Sequence, residues 1–210
     1  MAQELRSGDV VNLGIGLPTL VANHVAKGIE ITLHSENGII GIGPAAKPGE
    51  EDYEIVNAGG FPVTVYPGSS FLNSASSFAI VRGGRVDVTV LGALQVDASG
   101  NLANWMVPGK RVPGMGGAMD LVVGAKKVIV AMEHTIEGAP KILQMCTYPL
   151  TAVEVVDQII TELGVMMITK DGILLTEIAS HLSVEDVQAA TAAKLIIPNE
   201  LAIMDVQYEN

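Results

Sequence analysis

The chain has 210 residues, 49% of them hydrophobic, with a mean hydropathy of +0.40, enough apolar material for one large domain with a sizeable core. Its formal net charge is −11, which repels phosphate backbones, and no basic cluster is interleaved with aromatics, so nucleic acid is not an expected partner. The apolar runs are short and broken by Gly, Pro or charge, whereas a membrane helix needs about 20 apolar residues in succession, so no membrane span is expected.

The N-terminus "MAQELRSGDVV" has no basic segment leading into an apolar one, which predicts no signal peptide and a cytoplasmic protein. Next, "VVNLGIGLPTLVANHVAKGIEITLHSE" reads as strand, glycine turn, helix, strand and acid. That is the outline of a dinucleotide-binding unit, with Gly14 and Gly16 as G-x-G and Glu36 about 20 residues on as a ribose-binding acid. Thr19 stands where the third glycine belongs, however, and Pro18 removes an N–H from the first helical turn. A bare G-x-G after a strand is a weak signal. An NAD-binding oxidoreductase is therefore the rival reading.

Glu36 is followed by Asn37-Gly38, a pair that readily takes positive φ, so the acid projects from a tight bend at a strand end. His34, two residues earlier, points to the same side if the strand persists; it is read as a packing or hydrogen-bonding histidine. Further along, "FPVTVYPG", "RVDVTVLG", "KKVIVAME" and "VMMITKDGILLTEI" read as strands, the last folded back at Asp171-Gly172 as an antiparallel hairpin. The pattern predicts an α/β fold, an open mostly parallel sheet flanked by helices, as one domain over residues 1–210. "TAVEVVDQIITEL" has helical spacing at Val155, Val156, Ile159, Ile160 and Leu163, with Thr151 and Glu154 as a capping box. Ser183 and Asp186 repeat that signature before "VQAATAA".

Two stretches resist regular assignment, "GPAAKPGEEDYE" and "QVDASGNLANWMVPGKRVPGMGGAMD". Irregular segments that long are uncommon unless functional. The second, stiffened by Pro108 and Pro113 and rich in glycine, runs into "GGAMDLVVGA", which reads as a helix beginning directly after the glycines. Trp105 and Met106 are expected to pack under it. Cys146, the single cysteine, has no CxxC or His-rich setting; it is expected to be buried packing, and no metal site is expected.

Taken together and in order, "NLGIGLP", "HSENG", "NAGG", "LANWMVPGK" and "PGMGGAMDLV" resemble the β subunit of the 3-oxoacid and acetate CoA-transferases. The resemblance covers nearly the whole chain, and its "SENG" and "GMGGAMDL" are specific. It implies an open α/β CoA-transferase fold and a nucleophilic glutamate at Glu36, which forms a glutamyl-CoA thioester. It also implies an oxyanion donor at the Gly117 N–H, close backbone approach at Gly116, and CoA contacts from Asn12, Met115 and Ala118.

The family pattern carries a lysine after "NAG". Gly60 stands there, so a CoA phosphate anchor is missing or supplied elsewhere, with Lys110 the candidate. No tightly bound cofactor is implied; coenzyme A is a substrate, moved between an acyl-CoA such as succinyl-CoA or acetyl-CoA and a short-chain carboxylic acid such as acetoacetate. The partner that the resemblance implies is a CoA-transferase α subunit, the two forming a hetero-oligomer, α2β2. Acyl-CoA hydrolysis by the same glutamate is the nearer alternative. A carboxylate suits either role because it is ionised at neutral pH without a strong activating base, and the neighbouring Ile39 and Ile40 would help keep an anhydride dry.

Overall fold

The computed structural model describes residues 1–110, 112 and 114–205, and these divide into two compact units, Met1–Gly92 with Gly116–Val128 and Ala93–Met115 with Ile129–Asn210. In the first unit, β-branched runs make β1 (Val10–Leu13), β2 (Thr32–Ser35), β3 (Ile39–Ala45), β4 (Val63–Phe71) and β5 (Val88–Leu91), in the order β5-β1-β2-β3-β4. Strands β2, β1 and β5 run parallel, while β3 and β4 fold back antiparallel. All four residues of β5 are buried, as expected of an inner strand covered on both faces.

Two helices belong to this unit. The first, α1 (Ser74–Arg82), starts at Asn73, whose side chain accepts from the Ser76 N–H; α2 (Ala118–Gly124) starts at Gly117, directly after the glycines. They pack together, and Arg82 Nε meets Asp120 Oδ1 at 2.6 Å. Gly124 explains the closeness: a Cβ there would overlap the Val81 carbonyl of α1. After Gly16 the chain forms 3-10 turns over Leu17–His24, with Pro18 in its opening positions, instead of the α-helix that a dinucleotide-binding unit requires.

The second unit holds β6 (Gln95–Asp97), β7 (Leu102–Ala103), most of β8 (Lys127–Ala131, from Ile129 on), β9 (Thr135–Ile136), β10 (Ala139–Pro140), β11 (Ile142–Leu143), β12 (Gln158–Ile160), β13 (Gly164–Thr169), β14 (Gly172–Ile178), α3 (Val184–Ala190), β15 (Leu195–Ile196) and β16 (Ala202–Ile203). Its larger sheet runs β15-β14-β13-β12-β8, with β16 also on β14; β11-β6-β7 is a small sheet and β9-β10 a hairpin. The Asp171-Gly172 hairpin forms as expected, Thr169 facing Gly172. So does the Ser183 capping box: Ser183 Oγ accepts from the Asp186 N–H and the Asp186 carboxylate accepts from the Ser183 N–H.

Two expectations need correction. Residues 151–163 are not a helix: Gln158–Ile160 form β12 between β8 and β13. Thr151 does not cap; its Oγ1 donates to Asn104 Oδ1 at 2.7 Å, and Glu154 sits at φ 54, outside helical geometry. The stretch from Gln95 onward is also less irregular than expected, because β6 and β7 pair within it. Pro113 lies outside the described residues. Cys146 is half-buried, its Sγ 3.7 Å from the Asn101 carbonyl, and burial together with Asp97 pushes the thiol up to about 12, which makes it inert at neutral pH.

In this unit His134 is wholly buried, with Nδ1 2.9 Å from Thr161 Oγ1 and Nε2 2.8 Å from Thr191 Oγ1. Thr191 Oγ1 donates to the Val187 carbonyl, so it accepts from Nε2–H, and the ring is satisfied in its neutral form. Burial lowers the pKa of His134 from 6.5, against the raising influence of Glu162 and with a smaller lowering from Lys141. Since the unfolded chain binds the proton more readily, stability is full above about 6.5 and falls as the pH drops through that value towards the lower native one. The urea midpoint is expected to decline between about pH 7 and 5, with a shallower decline in His134→Asn; an identical pH slope in that variant would show that His134 contributes nothing to it.

Candidate active site

Glu36 sits half-buried in the turn between β2 and β3. The turn is closed by the Gly38 N–H donating to the Ser35 carbonyl at 2.9 Å, and Gly38 adopts φ 125. That glycine is required twice over: the torsion is left-handed, and a Cβ would overlap the Leu72 carbonyl oxygen, which follows β4. Leu72 N–H in turn donates to the Gly38 carbonyl at 2.8 Å. The loop at "NAGG" clasps the turn from another side. Asn37 Nδ2 donates to the Val56 carbonyl at 2.7 Å, and the Ala58 N–H donates to Ser35 Oγ at 3.0 Å.

The carboxylate is held from β1. Asn12, fully buried, donates from Nδ2 to Glu36 Oε2 at 2.9 Å and to the His34 carbonyl at 3.1 Å. Asn12 reaches both because β1 and β2 are parallel and in register, with Asn12 beside His34. Oε1 of Glu36 accepts no hydrogen bond among the described residues.

His34 is buried, its Nε2 2.9 Å from Ser77 Oγ of α1 and its Nδ1 3.4 Å from Asn12 Nδ2. Burial pushes its pKa below the ordinary 6.5, with the Glu36 charge opposing. A packing and hydrogen-bonding histidine on the same side as Glu36 is what the sequence spacing indicates.

The backbone of Gly117 also lies against the acid. A Cβ at position 117 would stand 3.2 Å from Glu36 Cγ and 3.1 Å from Phe78 Cζ of α1, so any larger residue asks both side chains to shift by a few tenths of an ångström. Among the described residues no acceptor lies on the Gly117 N–H. Gly116 precedes it at φ 58, and the half-buried Ala118 begins α2.

The structure thus brings Glu36, Asn12 and Gly117 together within the first unit. Sequence reasoning passed over Ser77 and Phe78, since nothing in "SASSFAIV" marks them. Gly60 belongs to the same unit and is exposed at φ 79, its N–H closing a turn on the Asn57 carbonyl at 2.9 Å; glycine takes that left-handed torsion without strain. Met115 and the exposed Lys110 fall in the second unit, where Trp105 Nε1 also donates to the Leu150 carbonyl at 3.3 Å. Beside β2 a cavity of about 510 Å3 is lined by Leu33, Ser35, Ile42, Val63, Ala58 and Gly59. No group of His, Cys, Asp and Glu suited to a metal ion occurs among the described residues.

Residues 1–190 match the coenzyme A transferase family. The chain belongs to that family. It is 54% identical over 204 residues to the beta subunit of the acetate CoA-transferase of Escherichia coli, covering 96% of this chain and 92% of that one. Against the corresponding subunit of the succinyl-CoA:3-ketoacid coenzyme A transferase of Helicobacter pylori it is 50% identical over 194 residues, 92% of this chain and 93% of the other. A mitochondrial succinyl-CoA:3-ketoacid coenzyme A transferase of Mus musculus is 48% identical over 206 residues, and there the match spans 97% of this chain but 40% of the mouse protein. With such relatives along nearly its full length, the chain is a CoA-transferase subunit of the β type.

The fold agrees. An acyl-CoA transferase from Escherichia coli superposes with a TM-score of 0.78 at 24% identity, over 96% of this chain and 41% of that one. Glutaconate coenzyme A-transferase from Acidaminococcus fermentans superposes with a TM-score of 0.72 at 18% identity, over 99% and 86%. The dinucleotide reading of Gly14 and Gly16 is displaced by a local one: Gly14 donates to the Val90 carbonyl at 2.8 Å, and a Cβ there would press on Leu91.

Gly38→Ala is expected to lower stability by about 2 kcal/mol or more, because torsion and overlap act together. Chemical denaturation of the purified chain measures this, and a loss below about 0.5 kcal/mol would contradict the packing described.

Proposed function

We propose that this chain carries the nucleophile of a CoA-transferase, Glu36, and works with an α subunit to move CoA between an acyl-CoA and a short-chain carboxylic acid through a glutamyl-CoA thioester. The observation that carries the reading is the arrangement of Glu36 itself, one oxygen tied to Asn12 and the other accepting no hydrogen bond among the described residues, with Gly117 backbone against its stem.

The chemistry balances without a net proton. A Glu36 oxygen attacks the thioester carbonyl, the carbon–sulfur bond of the tetrahedral adduct breaks, and CoA leaves as thiolate, giving a mixed anhydride between the acyl group and Glu36. The thiolate attacks Cδ of Glu36, releasing the first acid with one oxygen from the enzyme and leaving Glu36 bonded to sulfur. The incoming acid reverses both steps and restores the carboxylate. Each tetrahedral oxyanion needs a donor, and one well-placed donor is worth roughly 2.7–4 kcal/mol. The Gly117 N–H is assigned that role, with Gly116 permitting its approach and Asn12, Met115 and Ala118 as CoA contacts.

The cavity lined by Ser35 and the "NAGG" loop is mostly apolar and of a size that suits the pantetheine arm. The acid is assigned to the 3-oxoacid or acetate class from the names of the relatives, with two copies of each subunit in a cytoplasmic enzyme. Hydrolysis differs only in admitting water to the anhydride, so acyl-CoA loss in the absence of an acceptor acid separates the two.

With the assembled enzyme, acyl-CoA and no acceptor acid, borohydride is expected to reduce residue 36 to an alcohol that peptide mass spectrometry locates. Glu36→Ala is expected to lose labelling and transfer together, while Glu36→Asp slows about 100-fold because a stem one methylene shorter displaces the attacking oxygen by about 1 Å. Labelling at Cys146, or full transfer by Glu36→Ala, would refute the assignment. Gly117→Ala is expected to slow turnover several-fold with little change in apparent CoA affinity, since the added methyl stands 3.2 Å from Glu36 Cγ and nudges the acid by a few tenths of an ångström; a wild-type rate in the folded, assembled variant would remove Gly117 from the site.

A further inference from the structure

Asn12 offers two amide hydrogens to three neighbouring acceptors: Glu36 Oε2 at 2.9 Å, the His34 carbonyl at 3.1 Å and His34 Nδ1 at 3.4 Å. Among the described residues, its own Oδ1 is buried with no partner. The amide is therefore held from its NH2 side alone, and the imidazole closes that side.

This arrangement selects a tautomer. Nδ1 faces an NH2 group, so it presents a lone pair, and the ring proton sits on Nε2, which donates to Ser77 Oγ at 2.9 Å. A proton on Nδ1 would set donor against donor. Turning the amide over to accept that proton would bring Oδ1 against both the His34 carbonyl and the Glu36 carboxylate, and the hydrogen bond to Glu36 would be lost.

We infer that His34 is a positioning residue for CoA transfer: as the neutral Nε2–H tautomer anchored on Ser77, it fixes the Asn12 amide that holds Glu36 Oε2, leaving Oε1 as the attacking oxygen. The inference rests on Glu36 being the nucleophile. Burial of the ring supports the neutral form. Among the described residues the charge acting on it is that of Glu36, from the turn after β2; Asn12 of β1 and Ser77 of α1, which meet its two nitrogens, are uncharged.

The test uses the assembled enzyme with acetoacetyl-CoA, comparing wild type, His34→Ala, His34→Gln and Ser77→Ala. The rate of the borohydride-trapped adduct is followed from about pH 5 to 8. His34→Ala is expected to form it about 10- to 100-fold more slowly at saturating acyl-CoA, with apparent KM changed less than about threefold. Ser77→Ala is expected to lie between it and wild type. His34→Gln, whose amide can both accept from Asn12 and donate to Ser77, is expected to recover most of the rate and to lose any acid limb that wild type shows from protonation of His34, which burial moves below the ordinary histidine range.

Nitrogen NMR of histidine-labelled enzyme at neutral pH is expected to find Nδ1 of His34 unprotonated; an Nδ1–H signal would overturn the inference even if His34→Ala fails to assemble. So would wild-type rates and an unchanged pH profile in Ser77→Ala and His34→Gln while residue 36 is still labelled. A Glu36→Ala control that still labels refutes the nucleophile itself, which is a separate failure.

Discussion

One buried amide orders the candidate site. Asn12 spans the gap between two parallel strands, and its NH2 group is shared among the carbonyl of His34, the carboxylate of Glu36 and His34 Nδ1. An acid at a strand end would otherwise sample many rotamers in water, and attack on a carbonyl requires an oxygen placed to within a fraction of an ångström. The amide ties the acid's orientation to the sheet. Everything near it follows from keeping that link short: β1 in register with β2, Gly38 allowing the chain to turn under Leu72, and Gly117 bringing a backbone against the stem of the acid.

The electrostatics fit a substrate that is itself an anion. The chain carries a net charge of −11, so long-range attraction does not recruit CoA to it. The contacts proposed here are backbone N–H groups and a neutral amide, which favour an oxyanion locally without adding a cation. The carboxylate is at home among them because Asn12 supplies a donor to one oxygen while Ile39 and Ile42, both buried, follow it in β3. A nucleophile made this way stores acyl activation as a covalent bond, and a dry setting preserves that bond from water. Catalysis in this account depends on placement, and the imidazole beside Asn12 contributes to placement alone.

Much of this was legible in the residues. The β-branched runs at Val88–Leu91 and Lys127–Ala131, the hairpin at Asp171-Gly172 and the capping box at Ser183 each formed where local chemistry put them. The stretch after Thr151 misled because Val156, Ile159 and Ile160 satisfy a helical period and also serve a buried strand; β13 and β8 supplied partners on both sides, and tertiary pairing overrode propensity. "SENG" marked the acid, but its surroundings are non-local. Asn12 lies 24 residues before Glu36 and Ser77 lies 43 after His34, and nothing in sequence spacing reveals which side chains a parallel sheet will set side by side.

Oxygen exchange bears most directly on the claim that Glu36 carries the group. If the acceptor acid bonds to Cδ of Glu36 and CoA then takes the acyl group away, one oxygen of the acid stays behind on the enzyme at each turnover. With acetoacetate labelled in its carboxylate by oxygen-18, the assembled enzyme turning over with an acyl-CoA is expected to yield a peptide bearing residue 36 that has gained one heavy oxygen, at the position of the attacking Oε1. Transfer at full rate with no heavy oxygen at residue 36 would contradict the account.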